Sequence, residues 1–272
     1  MRDMLNATGR SVYFSLCGWN TWYAPQGDSL GNSWRIGGDG CNWGYLSERL
    51  NDMAQLGQYA RPGAWNDPDL LIGTGLGSSD DAREGDGEHH ANNCWEGGSG
   101  FMPQTGSWYQ SNNQSRAQFT MWCISSAPLL ISANVNAVDA YALETWGNEE
   151  AIFVNQHFKA GGPYQGERLV GGDIAYDEKN LTGSGTNVWG KALPDGMFAL
   201  AFISNEDQPT DVACDAACFA QMNATGTYKV RDVWGKADAG TASAPFSLTA
   251  KGLIPHGGVA MYTFTPVAAT AV

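Results

Sequence analysis

No apolar run in these 272 residues approaches the length of a membrane span, so no transmembrane helix is expected. Charge is scarce and one-sided: charged residues make up 16% of the chain, and 15 basic residues stand against 28 acidic ones. A net charge of −13 leaves no basic face for nucleic acid or an anionic membrane, and neither is expected as a partner. The opening stretch, Met1-Arg-Asp-Met-Leu-Asn-Ala-Thr8, lacks the apolar core of a signal peptide. Six cysteines are too few to define a disulfide framework. No motif calls for a cofactor.

What the chain does have is glycine (35) and tryptophan (11). Low charge with many Trp and Gly suits a loop-rich protein handling neutral polar ligands, since sugars stack on indole faces, although Trp also simply packs cores. Asn-x-Ser/Thr triplets occur at Asn6, Asn113, Asn180 and Asn223 and favour a secretory route. Cys214-Asp-Ala-Ala-Cys218 has spacing for a small disulfide loop; a metal site is the alternative, but no His lies nearby. A bridge there would place the protein in an oxidising compartment, in tension with the missing leader.

Along the chain, Ser11–Cys17 reads as a buried strand and 45–59 as a helix with Leu46, Leu50, Met53 and Leu56 on one face. Asp69–Ile72 reads as a second strand. Ser115 with Gln118 matches a capping box opening a helix through Ser126, with Phe119, Trp122 and Cys123 inward. Pro128–Ser132 reads as a third strand, Val138–Glu150 as a broken helix and Ala151–Gln156 as a fourth strand. Alternating strands and helices predict a parallel sheet. After residue 158 the strands Met197–Ile203, Tyr228–Trp234 and Val259–Thr265 follow one another without helices, which predicts a separate antiparallel β-domain over 159–272. The long Gly/Asp/Ser-rich stretch 73–114 holds Asp80, Asp81, Glu84, Asp86, Glu88, His89 and His90. Its spacing fits no standard metal site, so a solvated acidic loop is expected.

Five motifs occur in order: Ser15-Leu-Cys17-Gly-Trp19, Gly31-Asn-Ser-Trp-Arg35-Ile-Gly-Gly-Asp39, Trp65-Asn-Asp67-Pro-Asp69, Ala127-Pro-Leu-Leu-Ile131 and Val154-Asn-Gln156. Together with Val230-Arg-Asp-Val-Trp234 and Pro255-His256-Gly-Gly they resemble the second half of the melibiase-type α-galactosidases, glycoside hydrolase family 27, which also includes α-N-acetylgalactosaminidases. The Cys214–Cys218 segment likewise resembles a small disulfide loop of some animal members. The resemblance implies the second half of a (β/α)8 barrel over 1–158, strands five to eight, followed by an antiparallel β-sandwich domain. Ser11–Cys17 would be the fifth strand and Ile152–Asn155 the eighth. It also implies a secreted or lysosomal enzyme.

By this resemblance the chemistry is retaining hydrolysis of terminal α-galactosides, with one carboxylate as nucleophile and a second as acid and base. Asp39 matches the acid/base, Arg35 would hold a sugar hydroxyl or the carboxylates, and Asp69 would line the sugar pocket. Asp67, ahead of Pro68, is as readily a turn residue. Cys17 and Trp19 match positions beside the sugar 2-substituent, where bulky Trp19 favours galactose over the N-acetylated sugar. The chain departs from the family at Gly18, where many members carry Glu, and at Asn134 and His157, where related chains have Asp. Nothing before Ser11 matches the nucleophile, so a partial chain is expected, with a carbohydrate-binding pseudoenzyme as the alternative. Half a barrel would leave edges open at the fifth and eighth strands, through which two copies could pair as a homodimer.

Overall fold

The computed structural model describes residues 1–40, 42–73, 110–133, 135–136, 138–177 and 180–267. Helix α1 (Arg2–Asn6) precedes strand β1 (Ser15–Leu16); α2 (Ala24–Leu30), β2 (Ser33–Arg35), α3 (Trp43–Leu56) and β3 (Trp65–Asp67) follow. The three strands form a parallel sheet in the order β1-β2-β3, and a parallel bridge between Leu71 and Ile131 lies beyond β3. The side-chain oxygen of Asn42 accepts from Tyr45 N and starts α3, which buries Leu46, Leu50 and Met53 on one face. A 3-10 turn, Gly57–Tyr59, completes the predicted helix.

Several expectations fail for identifiable reasons. Ser11–Cys17 is strand only at Ser15–Leu16, with Val12 and Tyr13 exposed, because β1 pairs on one side only among the described residues. The strand expected at Asp69–Ile72 lies earlier, in β3; residues 69–72 contribute the single bridge at Leu71. Pro128–Ser132 is not a buried strand: Leu130 and Ile131 face out, and Ile131 makes that one bridge. The capping box sits one turn before Ser115. Ser111 caps α4 (Asn112–Ile124) with Gln114, repeating the same pattern four residues earlier, and Gln118 instead donates to Leu70 O. The broken helix is as expected, with α5 (Ala140–Trp146) first. The predicted fourth strand, and with it the eighth barrel strand at Ile152–Asn155, is helix α6 (Glu149–Gln156). Asn148 Oδ1 accepts from Glu150 N and Ala151 N, and two glutamates occupy the first turn, where they favour the helix dipole. A short apolar run carries no helix-or-strand signal of its own, and the cap decides it.

The remainder is antiparallel. It comprises β4 (Glu167–Gly171), β5 (Ala175–Asp177), β6 (Thr182–Ser184), β7 (Thr186–Ala192), β8 (Phe198–Ser204) and β9 (Thr210–Cys214). Helix α7 (Ala216–Gln221), β10 (Thr227–Asp232), β11 (Ala237–Ser243), β12 (Leu248–Leu253) and β13 (Gly258–Pro266) complete it. Six strands make one sheet in the order β11-β10-β13-β8-β7-β4; β12 pairs with β9 and β5 with β6. Strand periodicity divides β8 between two cores. Ala199, Ala201 and Ile203 join the core built around Trp122 and the helices, while Phe198, Leu200 and Phe202 pack with Val212, Phe219 and Leu253 under the β9–β12 ribbon and α7. The Cys214–Cys218 disulfide is formed, which resolves the alternatives left open for that spacing.

Polar ties cross between the helical part and the sheet. Trp43 Nε1 donates to Asn205 Oδ1 at 2.8 Å, and Asn148 Nδ2 donates to Val233 O at 3.0 Å. Lys191, on β7 and 0% exposed, donates from Nζ to Val154 O and Asn155 O in the last turn of α6. Burial pulls its ammonium pKa down to about 7, with Cys123 acting the other way. No helix among the described residues is long and apolar enough to cross a membrane.

Candidate active site

Parallel strands direct their carboxyl ends to one side of the sheet, where loops can converge on a common site. Cys17 follows β1 directly; Arg35 ends β2 and stands in register with Asp67, the last residue of β3. The floor beneath them is a buried hydrogen-bond network. Trp34 Nε1 donates to Asn66 Oδ1 at 2.8 Å; Asn66 Nδ2 donates to Leu56 O and to Gln165 Oε1; Gln165 Nε2 donates to Met53 O. Each polar atom named is satisfied, so the network fixes β2 against β3 and α3 rather than weakening the core.

On that floor the guanidinium of Arg35 reaches two carboxylates. Its Nη2 lies 2.7 Å from Asp39 Oδ1 and also pairs with Asp69 Oδ1. The two acids differ in setting: the Asp69 side chain is 1% exposed and that of Asp39 31%. Asp69 Oδ2 accepts the Gly40 amide, and the Asp69 amide donates to Asp67 Oδ1 at 2.9 Å. Asp67 therefore closes the tight turn foreseen for it. The turn holds Asp69 at φ +98°, a strained backbone for a residue with a side chain. A Cβ on Gly40 would meet Leu46 Cδ2 and Tyr45 Cδ1 at 2.9 Å, so a side chain here would displace its neighbours.

Burial outweighs Arg35 at both inner acids. It raises the Asp69 carboxyl to about 7 against the opposing pull of Arg35 and the Gly40 amide. Asp67 rises to about 6, again through burial, opposed by the Asp69 amide and Arg35. The site thus sets two buried acids with raised proton affinity, Asp67 and Asp69, behind Asp39, which solvent can reach.

Cys17 joins the same cluster. Its Sγ lies 3.8 Å from Arg35 Nη1 and accepts from Trp19 Nε1 at 2.8 Å. Trp19 stands 60% exposed with φ +56°. At Gly18 a Cβ would lie 2.3 Å from the Tyr23 ring, which itself stacks on Trp22 at 3.9 Å. Tyr23 fills the space that any side chain at position 18 would need.

Of the residues singled out from the sequence, Asp39, Asp69 and Cys17 therefore meet around the Arg35 guanidinium, and Trp19 joins them through Cys17. The sequence reading missed the Gly40 amide and the supporting pair Asn66 and Gln165. The glycine after Asp39 and the asparagine before Asp67 were the available signals; Gln165 is too distant in sequence to have given one. His157 lies outside the cluster, its Nδ1 against Phe153 O. Asn134 and the acidic residues 80–90 lie outside the described residues, among which no group of three or more His, Cys, Asp or Glu could hold a metal.

A family model described as the α-galactosidase C-terminal β-sandwich domain matches residues 183–264. An α-galactosidase of Oryza sativa subsp. japonica is 26% identical over 98% of this chain and 52% of its own length. One of Cyamopsis tetragonoloba is 27% identical over 98% and 53%. The chain spans about half the length of the curated relatives it matches. Among solved structures, α-galactosidase I of Mortierella vinacea superposes with a TM-score of 0.70 at 20% identity, covering 99% of this chain and 62% of that one. A GH27 β-L-arabinopyranosidase of Geobacillus stearothermophilus gives 0.72 at 20%, covering 100% and 54%. At that identity these two likenesses are of fold alone. The resemblance drawn from the motifs holds: the chain is similar to α-galactosidases along nearly its whole length, and residues 183–264 match their C-terminal β-sandwich domain.

Proposed function

We propose that this cluster is part of the active site of a retaining glycoside hydrolase that removes terminal α-galactosyl groups. The observation that carries the reading is Arg35 holding the exposed Asp39 and the buried Asp69 together at the carboxyl ends of β2 and β3. Asp39 is the acid/base: it protonates the departing glycosidic oxygen and then takes a proton from the water that releases the sugar. Asp69, paired with Arg35, lines the sugar pocket. Cys17 and Trp19 stand at the 2-position, where the exposed indole favours a hydroxyl over an acetamide; an α-N-acetylgalactosaminide is the alternative substrate. The nucleophilic carboxylate is supplied from outside these 272 residues. In this reading β1, β2, β3 and the Pro128–Ser132 segment are the last four strands of a (β/α)8 barrel, and the β-domain begins after residue 158. No cofactor takes part, the compartment is secretory or lysosomal, and the open strand edges allow self-pairing.

The test is Asp39→Asn in the enzyme that carries this chain, assayed on an aryl α-galactoside. Loss of acid/base help lowers turnover about 10²- to 10⁴-fold. Unchanged turnover would sink the assignment.

A second reading, galactose binding without turnover, is favoured by one observation. The strand ends bring three aspartates together, and two of them, Asp67 and Asp69, are buried in turn and ion-pair roles, so only Asp39 faces outward. Calorimetry of the isolated chain with millimolar galactose distinguishes it: heat of binding without hydrolysis supports this reading, and no heat excludes it.

A further inference from the structure

Of the four Asn-x-Ser/Thr triplets, three are compromised by their surroundings. Asn113 is half-buried in the first turn of α4, and its partner hydroxyl, on Ser115, is fully buried. The Asn180 amide is engaged, donating from Nδ2 to Asp177 Oδ2 at 2.7 Å. Asn6 is exposed, but the Thr8 hydroxyl donates to Leu5 O at 2.7 Å and accepts the Arg10 amide. Asn223 differs. It is exposed just past the end of α7 with φ +52°, which turns it out of the helix line. Neither its side chain nor the exposed Thr225 hydroxyl makes a hydrogen bond among the described residues; Thr225 is tied only through its amide, to Tyr228 Oη at 3.2 Å.

Two further observations belong to the same stretch. The Cys214–Cys218 disulfide closes the turn into α7, and such a bridge persists in the oxidising compartments where asparagine is glycosylated. Asn223 also forms part of the wall of a cleft of about 960 Å³ between the β7–β8 connection and α7. Pro194, Met197, Met222 and Tyr228 give that cleft apolar surface, and Gln221 and Asp195 give it polar rims. Apolar faces flanked by amide and carboxylate groups suit the alternating C–H and hydroxyl surfaces of a sugar ring.

We propose that Asn223 carries an N-linked glycan whose first sugar rests in this cleft. In the modification the Asn223 Nδ2 bonds to the anomeric carbon of a lipid-pyrophosphate-linked oligosaccharide. The carbon–oxygen bond to pyrophosphate breaks, the lipid pyrophosphate leaves with the bonding electrons, and the amide gives up one proton. No redox change occurs. The proposal is independent of the hydrolase reading.

The test is secretion of the full chain from a eukaryotic host, enzymatic deglycosylation in ¹⁸O-water and peptide mass mapping. The expected result is an ¹⁸O-labelled aspartate at 223, its loss in Asn223→Gln and in Thr225→Ala, and no label at Asn113. The same digest reads the Cys214–Cys218 bridge. A bridged peptide with unlabelled Asn223 overturns the proposal, as does material with neither bridge nor label. Hydrogen exchange of the intact glycoprotein tests the seat of the sugar: residues 193–198 are slower in the glycosylated wild type than in Asn223→Gln. Equal exchange in the two overturns the placement in the cleft while leaving attachment to the mass map.

Discussion

Ser11–Cys17 and Met197–Ile203 read alike in sequence, two short apolar stretches rich in strand formers, and the fold treats them in opposite ways. The second becomes β8, buried at every position because β7 and β13 pair with both its edges and a core lies against each face. The first contributes two residues of strand, with one edge paired and Val12 and Tyr13 in solvent. Burial is set by a strand's place in its sheet, which local composition does not encode. The difference also divides the labour: the antiparallel part holds the fold, and the sparse parallel part carries the carboxylates.

The contrast can be broken most directly at Phe202, fully buried on β8. Phe202→Ala is expected to cost about 3–5 kcal/mol, read as a shifted denaturant midpoint at unchanged slope. A cost under about 1 kcal/mol would mean that β8 is not the mainstay described.

The parallel part is sharpened by pH instead. Asp67 and Asp69 are raised from 3.8 to about 6 and about 7, so the folded chain keeps protons the unfolded chain has lost. Their contribution to stability is complete below the unfolded value and is lost as pH rises through 6 and then 7. Asp67→Asn with Asp69→Asn should flatten the stability profile across that window. An unaltered slope in the double variant would show that burial does not govern these two acids.

The disulfide is a smaller term. It closes a very short loop, so Cys214→Ser with Cys218→Ser should cost about 2 kcal/mol, measured by thermal unfolding. Smallest of all, Tyr13→Ser on the exposed segment should change stability by less than about 0.5 kcal/mol. A larger loss would mean that the β1 edge is covered in solution.

The site was legible where chemistry and chain order coincide: Arg35 ends a short strand, and Cys17, Asp39 and Asp69 each follow one. What failed was the identity of marginal elements. Ile152-Phe-Val-Asn155 is apolar enough for a strand, yet the cap on Asn148 makes it helix. Ser115-x-x-Gln118 is a sound capping box, but Ser111-x-x-Gln114 repeats it one turn sooner and the earlier copy wins. Gln165, which completes the floor of the site, lies 99 residues from its partner Asn66, beyond the reach of any local pattern.

Lys191 has a mechanical consequence. Its ammonium sits on β7 with no solvent access and finds its acceptors in the last turn of α6. Sliding the sheet away from the helix would leave the Lys191 amine and two carbonyls without partners in a dry gap, a cost of about 1–3 kcal/mol for each unpaired group. The helix and the sheet therefore cannot creep past one another under tension. They hold as a rivet holds two plates.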